Sequence, residues 1–474
     1  MKSDSRSFDY EPVLRSPARP MPSEPEPVKA GSTLRHKLSE KPASPELAEQ
    51  VEPKGTGQIE MELCGPARGH SLTFAALFVY SAIAYFRPFD LSPALSWTFG
   101  LSFWIAIAMV AIFVPSQVML EGRLTARPRE VNLVLLLGLV AIISIPQAIS
   151  LELAWKMFST TFAKTIIVFI VMVNVVRTEL RLKAMMLLTL VAGGLMSTKA
   201  LIDYAGGRTG GYQDRVALGV SNMFGEPNSF ALHLVLMLPI AIALLLSTRT
   251  VFRKIVYAAG ILVMFAGVLA TQSRGGFIGL VASGLALTWK LGRRQRMLAI
   301  TLFLVAGLAA VVVAPAGFEA RLATILNISS ESSASARQAL LWRSISVALH
   351  SPFLGVGIGN SEIVLIQGQV SHNAYTQIAA EMGLIALAFY LVLLFTSYRK
   401  LHNIELECLP QPHHSRYFYL SIGLQSSLVA YMVSSFFLSV AYDWYVYILI
   451  GYALAFRRIY AGSKTNRIEP QLQG

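Results

Sequence analysis

From Ser71 onward the chain is a series of apolar runs, most of them close to the ~20 residues that a bilayer-spanning helix needs. They lie near 71–86, 95–118, 131–149, 157–176, 184–203, 230–247, 251–270, 276–290, 297–315, 374–396, 417–438 and 442–456. Several contain Gly or Pro (Pro146, Gly193, Gly194, Pro239), which membrane helices tolerate because neighbouring groups satisfy the freed backbone. The runs are continuously apolar, without the alternation of barrel strands, so helices are expected rather than a β-barrel. Composition agrees: 54% of residues are hydrophobic and 14% charged, against roughly 25% charged in an ordinary soluble domain. The mean hydropathy is +0.54. One or two soluble cores could not cover that much apolar surface. The expected fold is all-α: a polytopic membrane protein of about twelve transmembrane helices.

Residues 1–70 differ. They hold ten of the 22 prolines, ten Lys/Arg and eleven Asp/Glu. Such a segment buries too little apolar area to offset its ordering entropy and reads as a disordered cytoplasmic tail. With that tail inside, the even-numbered connections and the C-terminal tail (461–474) are also inside. They carry twenty basic and six acidic residues, whereas the outer side, spans included, carries ten of each. The net charge of +13 is therefore a topogenic signal that suits anionic lipid head groups, and nucleic acid is not an expected partner. Two cysteines, Cys64 and Cys408, rule out a disulfide scaffold and a multi-cysteine metal site.

On this arrangement the chemistry-bearing residues gather on the outer side. The connection 204–229 holds Arg208, Asp214, Arg215, Glu226 and Asn228. The turn TQSRGG after the seventh run puts Arg274 at the mouth of a helix. The longest connection is 316–373, and a loop of that length ordinarily has a task. Within it, SSASARQALLWRSISVALHSPF reads as an amphipathic helix with Leu341, Ile345 and Ala348 on one face, carrying Arg337 and Arg343. The loop then passes through GVGIGN (355–360), read as a flexible turn, and ends in SHNAY (371–375). Glu381 follows two turns into the tenth run.

A loop arginine is ordinarily solvated, which is the expectation for Arg208 and Arg321. Lys164 and Lys199, in or near spans, are explained by snorkelling about as well as by anion contacts. Arg274 differs: between two glycine-containing apolar helices it costs energy unless it meets an anion or a carboxylate. Glu381, inside an apolar run, is a functional candidate, and a buried bond to a neighbouring helix explains it equally well. The chain has no G-x-x-x-x-G-K-[ST] loop, no Asp-x-Asp pair and no His/Cys/carboxylate cluster at metal-ligand spacing. No metal and no cofactor are expected. SRGG lacks a partner base at useful spacing and is no nucleophile elbow. What remains is an outward cavity rimmed by arginines, one histidine and a few carboxylates, suited to a di-anionic, lipid-borne ligand.

The ordered set T-Q-S-R-G-G, an S-A-R-containing amphipathic helix, H-S-P-F-L-G-V-G-I-G-N and S-H-N-A-Y-T-Q-I-A-A-E-M-G-L-I-A-L resembles the O-antigen ligase/polymerase superfamily. M-F-G-E-P-N-S-F-A (223–231) looks like that family's segment before a central span. By motif the resemblance covers about 205–395, and by topology 71–460, the expected membrane domain. It implies a metal-independent, inverting C-type glycosyltransferase in the bacterial inner membrane, with both termini cytoplasmic and the active site periplasmic. The loops 204–229 and 316–373 are then periplasmic. The implied donor is an undecaprenyl-pyrophosphate-linked glycan and the implied acceptor a glycan or lipid A–core. A chain-length regulator or polysaccharide export proteins are the protein partners that go with such an activity. By the resemblance, Arg215, Arg274, Arg337 and, less directly, Arg343 match the family's donor-binding arginines. His372 matches its catalytic histidine, with Arg274 also in the catalytic set. Trp342 stands where the family has an aromatic after the periplasmic arginine. The tail over 1–70 has no counterpart.

Fixed arginines in a water-poor site can stabilise the charge that builds on a departing lipid pyrophosphate. A sugar hydroxyl is a poor nucleophile, and a histidine can accept its proton or orient it. Asn373 or Glu381 is expected to hold the imidazole, with Glu226 and Asn228 in support. A polymerase or a ligase for a surface polysaccharide fits these residues equally. A protein O-glycosyltransferase and a transporter or flippase of an anionic lipid-linked sugar are the alternatives; the transporter predicts inverted repeats with broken helices.

Overall fold

The computed structural model describes residues 69–86, 98, 100–206, 226–292, 296–297, 300, 332–365, 370–409 and 416–472. Every regular element among them is helical. In chain order they are α1 (Ser71–Phe86), α2 (Leu101–Glu121), α3 (Arg129–Ser144), α4 (Leu151–Met157), α5 (Ala163–Val175) and α6 (Glu179–Ala205). Then come α7 (Pro227–Ser247), α8 (Val251–Ala270), α9 (Arg274–Lys290), α10 (Ser332–His350), α11 (Ser361–Val364), α12 (Ala374–Cys408), α13 (Arg416–Ser434) and α14 (Trp444–Leu472). Eight stretches are long and apolar enough to cross a membrane: α2, α3 with its 3-10 extension, α4 joined to α5, α6, α7, α8, α12, and α13 with its 3-10 extension. This is a multi-pass membrane protein. Twelve spans are expected from the sequence, and among the described residues eight meet the requirement. α1 has only 16 residues and α9 only 17, while tyrosines and the Arg457–Arg458 pair make α14 less apolar. The run at 297–315 and the tail over 1–68 lie outside the described residues. Part of the segment expected as a C-terminal tail belongs to α14, which is helical through Leu472.

α7 is the central helix, with 78% of its apolar stretch buried, against 17% for α2 and α8 at the periphery. It packs on α13, α8, α9 and α6. Polar side chains inside the bundle bond from helix to helix: Ser427 Oγ donates to the Leu236 carbonyl at 2.7 Å, and the Tyr390 and Tyr431 hydroxyls pair at 2.5 Å.

The long helix α12 is broken at Gly383, whose backbone (φ 85°, ψ 175°) leaves the helical region. A break in a membrane span frees backbone groups that lipid cannot satisfy, so other protein must. The segment 352–361 does this. Leu384 N–H donates to the Pro352 carbonyl at 2.7 Å, and Val356 and Gly357 N–H donate to the Ala380 and Glu381 carbonyls at 2.9 and 3.0 Å. The expectation of a flexible turn at 355–360 is corrected here. Gly355, Gly357 and Gly359 all have positive φ, and a Cβ at Gly357 would overlap Ala148. The turn is a wedge fitted between α12 and the α3–α4 junction, bonded there through Ile149 N–H to the Val356 carbonyl at 3.2 Å and Ser150 N–H to Asn360 Oδ1 at 2.7 Å.

Where α2 and α5 end and α6 and α13 begin, buried carboxylates meet basic residues. Glu121 pairs with Arg177, and Arg458 lies 3.8 Å from it. Glu130 takes Lys400 at 3.0 Å and Arg457 at 2.5 Å. Glu405 takes Lys290 at 2.6 Å, His402 at 2.9 Å and Gln425 at 3.0 Å. Five residues counted as a topogenic surplus in the sequence therefore also tie helices together.

Candidate functional site

The opposite end is organised by the crossover 435–443, between α13 and α14. Ser435 Oγ donates to the Tyr375 hydroxyl at 3.1 Å, the Ser439 and Ser371 hydroxyls lie 3.2 Å apart, and Ala441 N–H donates to Gln377 Oε1 at 3.4 Å. These bonds hold the start of α12 against the crossover.

α9 reaches the same end through its glycine pair. A Cβ on Gly275 would stand 2.8 Å from the Cβ of Phe437, and one on Gly276 would stand 2.6 Å from that of Ala231 on α7. Only glycine allows α9 so close to both neighbours. Ser273 caps the helix, accepting from Gly276 N–H at 3.2 Å. Arg274 is therefore the first residue of a helix wedged between the first turns of α7 and the crossover, and its side chain is partly exposed. The SRGG sequence works as a packing device that fixes an arginine.

His372 is held by the two residues beside it. Asn373 caps α12, its Oδ1 accepting from Tyr375 and Thr376 N–H at 2.9 and 3.1 Å. Ser371 Oγ donates to the Asn373 carbonyl at 2.9 Å. Both flanking side chains are buried, whereas His372 is partly exposed, with its backbone in the left-handed region at φ 49°. A non-glycine residue there stores local strain, and such residues concentrate at functional sites. Burial, and then the Arg337 guanidinium, push the imidazole below its ordinary range, while Glu226 pulls it back up. The ring is therefore a neutral proton acceptor at neutral pH.

Arg337 comes from the first turns of α10, which rests on α12 through Leu340, Ser344 and Ala348. The buried stripe is thus turned slightly from the expected Leu341, Ile345 and Ala348: the first two are only half-buried. Glu226 is the residue before α7, where its carboxylate accepts from Asn228 Nδ2 at 3.1 Å and Ser229 Oγ at 3.2 Å. Asp443, immediately before α14, is not among the residues that the sequence motifs single out. Burial and the nearby Glu226 carboxylate push its carboxyl up to about 6. A carboxylate at the outer edge of the last apolar run carries the same signal that singled out Glu381.

His372, Arg337, Glu226 and Asp443 thus come together around the start of α12, with Arg274 at the same end. The other sequence candidates have different positions. Asn373 is spent on its helix cap. Glu381 is 1% exposed and takes Ser361 Oγ at 2.5 Å and Gly359 N–H at 2.7 Å, so its carboxylate clasps the wedge instead of the imidazole. Arg343 is exposed and its Nε donates to the Val364 carbonyl at 3.3 Å. Lys199 pairs with Asp203 at 2.5 Å. Arg208, Arg215 and Arg321 lie outside the described residues. Among the described residues no group of three or more His, Cys, Asp or Glu could hold a metal ion.

Residues 258–391 match the family model described as O-antigen ligase. The match takes in Arg274, the whole of α10 with Arg337, the wedge, His372 and Glu381; Glu226 and Asp443 lie outside it. No curated protein matches the chain. The match supports the O-antigen ligase/polymerase superfamily, and the family indicates a glycosyltransferase-like ligase or polymerase activity on a lipid-linked glycan in a membrane.

Proposed function

We propose that the protein joins an undecaprenyl-pyrophosphate-linked glycan to a sugar acceptor at the periplasmic face of the inner membrane, as an O-antigen or exopolysaccharide polymerase or an O-antigen ligase. The observation that carries this reading is the meeting of a neutral histidine, an arginine and a carboxylate at one end of the helices. Arg274 opens α9 at that end, and all but the carboxylate lie within the matched segment.

In the proposed step the acceptor hydroxyl attacks the anomeric carbon as the bond from that carbon to the pyrophosphate oxygen breaks. His372 takes the hydroxyl proton. Arg274, Arg337 and, from the loop before α7, Arg215 offset the charge on the departing lipid pyrophosphate, which fixed guanidiniums do best where water is scarce. No metal enters the step, and the anomeric centre inverts because one displacement occurs. Glu226 stabilises the imidazolium that forms, in keeping with its upward pull on His372.

The transporter alternative predicts broken helices. The break in α12 is filled by the chain's own 352–361 segment, which favours a packed joint over a moving gate. The test is incubation of the purified protein with lipid-linked repeat units alone and with lipid A–core added. Longer chains without a second acceptor identify a polymerase, and transfer only with lipid A–core identifies a ligase. A donor that crosses the bilayer unchanged contradicts the proposal.

A further inference from the structure

α10 does not lie flat over the membrane surface. Its first turns bring Arg337 near enough to His372 to act on it electrostatically. Its far end runs into Pro352 and Phe353, whose carbonyls meet the break in α12: Leu384 N–H donates to the Pro352 carbonyl at 2.7 Å, and a Cβ on Gly383 would overlap the Phe353 carbonyl. Gly383 is nine residues beyond Ala374, which at ~1.5 Å per helical residue is about 14 Å along a membrane span from its mouth. Leu384 and Ile385, just past the break, are themselves exposed apolar residues, as a lipid-facing surface requires. α10 therefore slants from the charged site down into the apolar layer.

The face of α10 turned away from α12 carries large apolar side chains along this slope, with the partly exposed Ser346 between them and Arg343 beside them. Trp342, Leu349 and Phe353 are 63%, 66% and 72% exposed. Trp342 and Leu349, seven residues apart, share one face of α10, and Phe353 stands exposed in the turn that follows the helix. The stripe starts about one turn past Arg337 and ends at the depth of Gly383.

We propose that this stripe is the binding face for the polyprenyl chain of the lipid-linked donor. The assignment rests on the transferase reading and deepens it. A donor whose pyrophosphate lies at Arg337 and His372 must lead its hydrocarbon chain from a polar pocket into the apolar layer. Among the described residues, the helix that carries Arg337 makes that descent with an exposed apolar side. Trp342, amphipathic and near the top, suits the level where pyrophosphate gives way to hydrocarbon. Leu349 and Phe353 then contact isoprene units below it.

The test uses the full chain in nanodiscs with two photoreactive probes, a polyprenyl diphosphate and a phosphatidylglycerol, each carrying its reactive group on the hydrocarbon chain. The labelled peptides are then mapped. The expected result is polyprenyl label on the 338–353 segment, competed by unlabelled polyprenyl diphosphate. Phosphatidylglycerol label there should be weaker, and the paired variant Leu349→Gln, Phe353→Gln should lose about tenfold of the polyprenyl label, as expected for removing two large apolar contacts. Label confined to other helices, or equal labelling of α10 by phosphatidylglycerol, overturns the assignment. If the variant's label is lost but its melting temperature falls with it, the milder Phe353→Leu variant decides: retained label upholds the apolar face, and lost label overturns it. Glycan transfer is scored separately in the same nanodiscs. Label on α10 without transfer would remove the transferase reading and leave the chain-binding face standing, whereas transfer with label elsewhere does the reverse.

Discussion

At one end of the helices, Glu121, Glu130 and Glu405 are buried and each is met by basic side chains within ion-pairing distance. At the other end, Glu226, Asp443, Arg337 and His372 gather around the partly exposed start of α12, in a cluster that shifts the proton affinity of His372 and Asp443. The same residue types serve two purposes. Charges that neutralise one another tie α3, α12 and α14 together and resist change. Like charges and a desolvated imidazole crowded at one place leave groups ready to gain, lose or bind something. Removing a residue from the first set should cost stability, and removing one from the second should cost chemistry.

The largest expected effect is on turnover. His372→Ala should lower glycan transfer by about 10²–10⁴-fold, the usual worth of a positioned general base, with little change in melting temperature. Assays with a fixed amount of folded protein measure it. Next, Glu130→Ala should destabilise the protein by about 3–5 kcal/mol, because Lys400 and Arg457 are left as uncompensated buried charge. Thermal unfolding in detergent should show the fall, while activity per folded molecule stays near wild type. The contrast between the ends breaks if His372→Ala melts as early as Glu130→Ala, or if folded Glu130→Ala protein is inactive.

How much of this was legible beforehand depends on the range over which each signal acts. Apolar runs and caps are local, so α7, α8 and the start of α12 fall close to their expected positions, and the SRGG and SHN segments stand at helix mouths. The pairing of Glu121 with Arg177 joins residues far apart in the chain, and no periodicity announces it. Glu381 was legible as a buried carboxylate but not as a clasp, since its partners Ser361 and Gly359 arrive from a turn whose three glycines look like slack. In the structure those glycines permit contact too close for any side chain. Asp443 carries the same local signal as Glu381, a carboxylate at an apolar run, but its electrostatic neighbour Glu226 is distant in sequence, so the cluster they form is not legible.

Smaller effects sharpen the same contrast. Asn373→Ala removes the cap of α12 and should cost about 1 kcal/mol. Because the cap also holds the backbone beside His372, transfer should fall more than stability alone explains, a difference seen by comparing kcat with the unfolding midpoint. The least dramatic signature is in pH. The imidazole's proton affinity is lowered, so His372 stays neutral as pH falls through the ordinary histidine value near 6.5. The acidic limb of kcat/KM should therefore lie below about pH 6.5. An acidic limb above that value would contradict the electrostatics of the cluster.

Whether the Arg274 and His372 end performs the chemistry is decided in a strain lacking the chromosomal copy. Arg274→Ala and His372→Ala are each returned at normal abundance, with membrane insertion checked by fractionation. Membrane-inserted protein is expected in both strains, with no surface polysaccharide from Arg274→Ala and at most a trace from His372→Ala. Normal polysaccharide from both variants would place the chemistry elsewhere.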